Sequence, residues 1–63
     1  MSKSEYRNTI LRMMEYVKVT KFCNSLGIAT SNLSYFLKGR DERMSIDKLE
    51  LLVNTIRSEL DSL

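Results

Sequence analysis

The sequence predicts an all-α fold of four or five short helices in one small domain. Apolar residues recur at steps of three and four along most of the chain, which is the spacing of one face of a helix. The 63 residues include two Gly and no Pro, and each glycine directly follows a predicted helical stretch, where a helix commonly ends. The single Cys excludes an intrachain disulfide, so packing must stabilise a chain that has little surface to bury.

Four helices are predicted, near residues 3–17, 20–26, 30–38 and 46–60. Ser2 and Glu5 have the spacing of a capping box ahead of the first helix. The expected apolar face of that helix consists of Tyr6, Ile10, Leu11, Met13, Met14 and Val17. The second helix can begin with either Lys18 or Thr20 as its N-cap, and the sequence favours neither. Ser45 is the expected N-cap of the fourth helix.

Positive charge is concentrated in the first two thirds of the chain. Residues 1–43 carry eight Lys and Arg against four acidic residues, whereas residues 44–63 carry two against four. No acidic residue occurs between Glu15 and Asp41, a stretch of 25 residues with four basic ones. This distribution predicts a surface that faces a polyanion.

Several classes of function are disfavoured by what the sequence lacks. It has no His and one Cys, so we expect no metal site, and no glycine-rich phosphate loop is present. We therefore expect neither an enzyme nor a bound cofactor or small-molecule ligand. No apolar run approaches the length of a membrane span, and the N-terminus is too polar for a signal peptide. We expect no membrane partner and a cytoplasmic location.

Residues 19–38 satisfy the steric requirements of a helix-turn-helix. Two closely crossing helices need a small residue in the middle of the first one, where Cys23 stands, and we interpret it as a small buried residue rather than a nucleophile. Four positions later the turn needs a residue that tolerates positive φ, where Gly27 stands. The other residues of the motif are the apolar ones that form the wedge between its helices: Phe22, Leu26, Ile28, Leu33 and Phe36.

The segment VTKFCNSLGIATSNLSYFLKG resembles the helix-turn-helix of the Cro/CI-type repressors, or XRE family, and the resemblance covers about residues 8–57. It implies a lambda-repressor-like fold and a phage or mobile-element repressor that binds an inverted-repeat operator as a homodimer. Two positions differ from the family pattern: Val19 replaces a common Gln, and Ala29 replaces a common Ser. We therefore expect Thr30 or Ser31 to cap the third helix.

The resemblance also implies roles for individual residues against double-stranded DNA. Because Leu33, Phe36 and Leu37 anchor the third helix, its polar residues are expected to face outward. Expected base-reading residues are Thr30, Ser31, Ser34, Tyr35 and Lys38. Expected phosphate contacts are Thr20, Lys21, Asn32, Arg40 and Arg43. The alternatives are that Thr30 only caps the helix, that Tyr35 faces solvent or a protein partner, and that Arg40 and Arg43 are ordinary loop charges.

The fourth predicted helix carries more apolar residues than the motif needs. They recur at positions 46, 49, 53, 56, 60 and 63, with Leu51 and Leu52 in addition. We assign Ile46, Leu49 and Val53 to the protomer core. We expect Ile56, Leu60 and Leu63 to be exposed in a monomer and to form a homodimer interface, with Met13 and Met14 as the next candidates.

A second hypothesis keeps the fold and changes the partner. In it the helix-turn-helix is a protein-interaction module, such as an antirepressor or an inhibitor, that binds another protein. The predicted recognition helix carries mainly small uncharged polar side chains, and the net charge is only +2. Both observations favour this alternative.

Overall fold

The computed structural model describes residues 1–62 and confirms the all-α fold. The four helices are α1 (Lys3–Met13), α2 (Val19–Leu26), α3 (Thr30–Leu37) and α4 (Ile46–Asp61), with a 3₁₀ turn at Asp41–Arg43 between the last two. In this part of the chain there is no β-strand. No helix among residues 1–62 is long and apolar enough to cross a lipid bilayer.

Helix α1 begins with the predicted capping box and ends earlier than predicted. The Glu5 N–H donates to Ser2 Oγ at 3.2 Å, and the Ser2 N–H donates to Glu5 Oε1 at 2.9 Å. The hydrogen bond from the Ser2 N–H is the main reason why the pKa of the Glu5 carboxyl lies below its ordinary value. The helix ends at Met13 rather than near Val17. The Tyr16 N–H bonds to the Met13 carbonyl at 3.1 Å, an i to i−3 pattern that tightens the chain into a turn.

Of the two possible N-caps of α2 that the sequence left open, the structure has Lys18. Lys18 is the N-cap and Thr20 lies in the first helical turn. Val19 is buried, so this position packs into the core. Gly27 has φ +71°, as the motif required, and the Ile28 N–H returns to the Cys23 carbonyl at 2.8 Å. This is a Schellman ending, which places the buried Ile28 directly after the turn.

Helix α3 is bounded by Ala29 and by a second glycine. The expected capping by Thr30 or Ser31 is wrong, because Ala29 is the N-cap and Thr30 is already helical. Gly39 has φ +109°, and the Arg40 N–H bonds to the Tyr35 carbonyl at 3.0 Å. The C-terminus of α3 therefore has the same Schellman pattern as that of α2.

The core gathers apolar side chains from every helix and from both connections around α3. Its members are Tyr6, Ile10, Met13, Val19, Cys23, Ile28, Leu33, Phe36, Met44, Leu49, Leu52, Val53 and Ile56. Helix α4 packs against both α1 and α2, and its buried residues run from Leu49 to Ile56. Two residues expected on the apolar face of α1, Leu11 and Met14, are instead exposed.

The predicted division of α4 between core and interface is partly wrong. Ile56 has no exposed surface and belongs to the protomer core, so it is unavailable to a second subunit. Ile46, expected in the core, is 39% exposed. Leu60 is partly buried against the core, and Leu63 lies outside the described residues. The prediction failed because α1 and α2 both pack against α4, and Ile56 is part of the core that results.

Candidate functional site

The exposed side of α3 carries the residues that the sequence analysis proposed for base reading. Leu33 and Phe36 are buried beneath the helix and hold it to the core. The residues that share the opposite, exposed side are Thr30, Ser31, Ser34, Tyr35 and Lys38. The structure thus brings all five predicted base-reading residues to one surface; their role there stays a prediction.

Tyr35 is the centre of a cluster of positive charge at the C-terminal end of this surface. Its side chain is 41% exposed. Arg43 Cζ lies 4.6 Å from the centre of the Tyr35 ring, Arg40 Cζ lies 5.9 Å away and Lys38 Nζ lies 6.0 Å away. A cation within about 6 Å of an aromatic ring is attracted by its quadrupole. We call Tyr35, Lys38, Arg40 and Arg43 the Tyr35 cluster.

Arg43 also reaches back to the middle of α3. Its Nη1 donates to Asn32 Oδ1 at 3.4 Å. Asn32 and Tyr35 are three residues apart and so lie side by side on the helix surface. One guanidinium thereby contacts two neighbouring side chains of α3.

The 3₁₀ turn that carries Arg43 is attached to α1 through Arg7. Arg7 Nε donates to the Phe36 carbonyl at 3.0 Å, and the guanidinium forms an ion pair with the Asp41 carboxylate. Arg7 Cζ also lies 4.6 Å from the centre of the Phe36 ring. Lys3 Nζ donates to the Asp41 carbonyl at 2.9 Å. The N-terminal half of α1 thus holds the end of α3 and the following turn in a fixed relation.

Two predicted phosphate-contacting residues lie apart from the Tyr35 cluster. Thr20 and Lys21 are exposed on α2. Lys21 lines a cleft between α2 and α4 together with Phe22, Ser25, Thr55 and Glu59. By contrast, Asn32, Arg40 and Arg43 lie within or beside the Tyr35 cluster. The ten predicted contact residues therefore divide between the surface formed by α3 with the segment that follows it and the exposed side of α2.

The sequence analysis missed the bracing role of Arg7 and Asp41. Arg7 lies next to the buried Tyr6 and three residues before Ile10, so an arginine at the border of the apolar face of α1 was the available signal. It also missed Met44, which is buried although it ends a polar connection. Cys23 has no exposed surface, and burial raises the pKa of its thiol.

Comparison of the chain with protein-family models, curated proteins and solved structures gave no match. The candidate site consists of α3 and the Tyr35 cluster, which are both attached to α1. Helix α3 is anchored on one side, is exposed and polar on the other and is positively charged at its C-terminal end.

Proposed function

We propose that the protein is a sequence-specific DNA-binding regulator that inserts the exposed side of α3 into the major groove of double-stranded DNA. The observation that carries this proposal is the position of the Tyr35 cluster on the same surface as the polar residues of α3. A helix of this width fits the major groove, and cations at its margin contact the phosphates that flank the groove.

The charge balance around α3 supports a polyanionic partner. Asp41 is neutralised by Arg7, which forms the one ion pair found among residues 1–62. Lys38, Arg40 and Arg43 form no ion pair within that range, and Glu42 is the one further acidic residue in the turn. Three cations that repel one another on a small surface favour the binding of phosphate groups.

The N-terminus of α3 adds hydrogen-bond donors to this surface, and the N-terminus of α2 adds donors beside Thr20. Lys18 and Ala29, their N-caps, have no side-chain acceptor that could bond to the first N–H groups. Donors of this kind at a helix start bind phosphate oxygens well, and the helix dipole favours the negative charge.

We further propose that the protein acts as a repressor of the phage or mobile-element type and binds an inverted-repeat operator as a homodimer. Small hydroxyl side chains such as Thr30, Ser31 and Ser34 accept several base edges, so one α3 discriminates weakly. A second copy placed one DNA turn away doubles the number of contacts. With Ile56 inside the core, Leu60 is the described residue of the predicted interface that stays partly accessible, and it lines a mixed polar and apolar cleft with Tyr16 and Arg57.

Binding to duplex DNA of random sequence tests the proposal. We expect fluorescence anisotropy to show binding that weakens steeply with salt, because displaced counterions accompany each phosphate contact. Arg40→Ala should flatten the slope of log K against log[salt] by about 0.9 for each bound protomer. Lys48→Ala, which removes an exposed charge from α4, is the matched control and should leave the slope unchanged.

Selection from random DNA then tests sequence specificity. We expect an enriched inverted repeat whose half-sites are about 34 Å apart. Wild-type protein that shows no salt-dependent binding to duplex DNA would overturn the proposal and favour the protein-interaction alternative.

A further inference from the structure

The geometry around Tyr35 points to Arg43 as a positioning residue. We propose that Arg43 fixes the side chains of Tyr35 and Asn32 on α3 and thereby sets which bases the helix accepts, instead of serving mainly to neutralise a phosphate. This inference rests on the proposed function for its effect on DNA, but the contacts themselves exist in the free protein.

The first contact holds the Tyr35 ring. Arg43 Cζ lies 4.6 Å from the ring centre, which is within stacking range of a planar guanidinium, whereas Arg40 and Lys38 lie at 5.9 and 6.0 Å. The attraction between a cation and an aromatic ring falls with distance, so Arg43 dominates the three. A ring that is 41% exposed would otherwise change rotamer easily. The guanidinium therefore limits the directions in which the Tyr35 hydroxyl can point.

The second contact orients the Asn32 amide. Asn32 Oδ1 accepts from Arg43 Nη1 at 3.4 Å, which turns Oδ1 toward the Tyr35 cluster. This contact uses Oδ1 and leaves Nδ2 as the donor of the amide. A donor matches acceptor atoms such as guanine O6 and N7, thymine O4 or a phosphate oxygen. The paired donor and acceptor contact that asparagine makes with adenine needs both amide atoms at the base edge.

Arg43 suits this role because its backbone is held firmly. It closes the 3₁₀ turn through an N–H bond to the Arg40 carbonyl at 3.1 Å, and the next residue, Met44, is buried in the core. Asp41 in the same turn is held by Arg7. A long side chain that starts from a fixed backbone can hold its neighbours in place before any partner arrives, which lowers the cost of ordering them on binding.

The substitution Arg43→Lys separates positioning from charge. Lysine keeps the positive charge but loses the planar group that stacks on Tyr35 while it donates to Asn32. Arg40→Lys is the matched control, because Arg40 lies on the same cluster at a greater distance from the ring. Both positions are exposed, so both variants should fold, and thermal unfolding checks this.

Nuclear magnetic resonance of the free protein tests the contacts without DNA. We expect Arg43→Lys to shift the Tyr35 ring signals and the Asn32 side-chain amide signals. Arg40→Lys should move the Tyr35 signals less and leave those of Asn32 in place. Unchanged signals in Arg43→Lys, or equal shifts in both variants, would overturn the assignment of Arg43.

Selection from random DNA tests the consequence. We expect Arg43→Lys to keep the wild-type salt slope, to lose about tenfold in affinity for the site selected by the wild type, and to select a different sequence. An unaltered selected sequence means that Arg43 acts only through charge and contradicts the proposal. If the wild type fails to bind DNA, the proposed function is wrong, while the signals of the free protein still decide whether Arg43 positions Tyr35 and Asn32.

Discussion

The outer helices and the motif helices begin in different ways. Helices α1 and α4 start at Ser2 and Ser45, whose hydroxyls accept backbone N–H groups at 3.2 Å. Helices α2 and α3 start at Lys18 and Ala29, which bring no such acceptor. The outer helices are also longer, with 11 and 16 residues against 8 in each motif helix.

Because of this difference, the side-chain caps that stabilise helix starts belong to α1 and α4 and not to the helices of the candidate site. A side-chain cap typically contributes about 1 kcal/mol, and helices of eight residues are unstable alone. Helices α2 and α3 therefore depend on packing against the outer pair, and no side chain of an N-cap residue bonds to their first N–H groups. The same chain thus combines two outer helices that start with a side-chain cap and two motif helices that start without one.

The largest expected effect concerns the contribution of α4 to the scaffold. Ile56→Ala removes a fully buried side chain and should lower the free energy of unfolding by about 2–5 kcal/mol. Urea unfolding followed by circular dichroism measures this loss.

Leu60 lies at the edge of the core, so Leu60→Asp should lower the free energy of unfolding by less than Ile56→Ala. Sedimentation experiments should nevertheless show that this variant no longer forms the proposed dimer.

Leu51→Asp is the control for the dimer, because Leu51 is exposed and lies on the opposite side of α4 from Leu60. It should leave both the fold and the dimer intact. An Ile56→Ala protein that is as stable as the wild type would contradict the division into scaffold and motif. Folded Leu60→Asp protein that stays dimeric would place the interface elsewhere.

A smaller effect is expected at the start of α4. Ser45→Ala removes the oxygen that accepts the Lys48 N–H, so the free energy of unfolding should fall by about 1 kcal/mol. Binding of duplex DNA by the folded fraction should not change, because the cap lies outside the candidate site. Loss of DNA affinity without loss of stability would mean that α4 contributes to recognition directly.

The smallest effect is expected at the start of α3. Ala29→Ser supplies a cap, but Ala29 has ψ 123° whereas Ser2 and Ser45 have ψ 165° and 158°. We therefore expect a gain of about 0.5 kcal/mol, less than the usual cap. Ala29→Asp should stabilise the helix similarly and weaken DNA binding, since its charge repels phosphate. If the Ala29→Asp and Ala29→Ser variants bind duplex DNA with equal affinity in anisotropy titrations, phosphates do not approach the N-terminus of α3.

Elements with local signals were predictable from the sequence, and those that depend on long-range packing were not. Gly27 marked the end of α2 and Ser45 marked the start of α4, because turn conformation and capping depend on a few adjacent residues. The burial of Ile56 depended on where α1 and α2 lie against α4, which no local pattern records. The position of Ala29 as N-cap likewise depended on how the buried Ile28 places the chain after the turn.

The same contrast between local signals and long-range packing holds for the candidate site. The outward side of α3 could be predicted, because burial of Leu33 and Phe36 decides which residues face away from the core. The contact between Arg43 and Tyr35 could not be predicted, because Arg43 lies in a 3₁₀ turn that Arg7 holds next to α3. Its geometry depends on an ion pair between residues 34 positions apart.

The two left-handed glycines make α3 an exchangeable unit. Gly27 and Gly39 set where the helix before it ends and where α3 itself ends, and Leu33 and Phe36 set its rotation about its own axis. None of these four residues contributes a side chain to the outward surface. Replacing the outward residues therefore leaves length, rotation and depth of the helix unchanged. A library that randomises only those positions should yield proteins of one shape and many partner preferences.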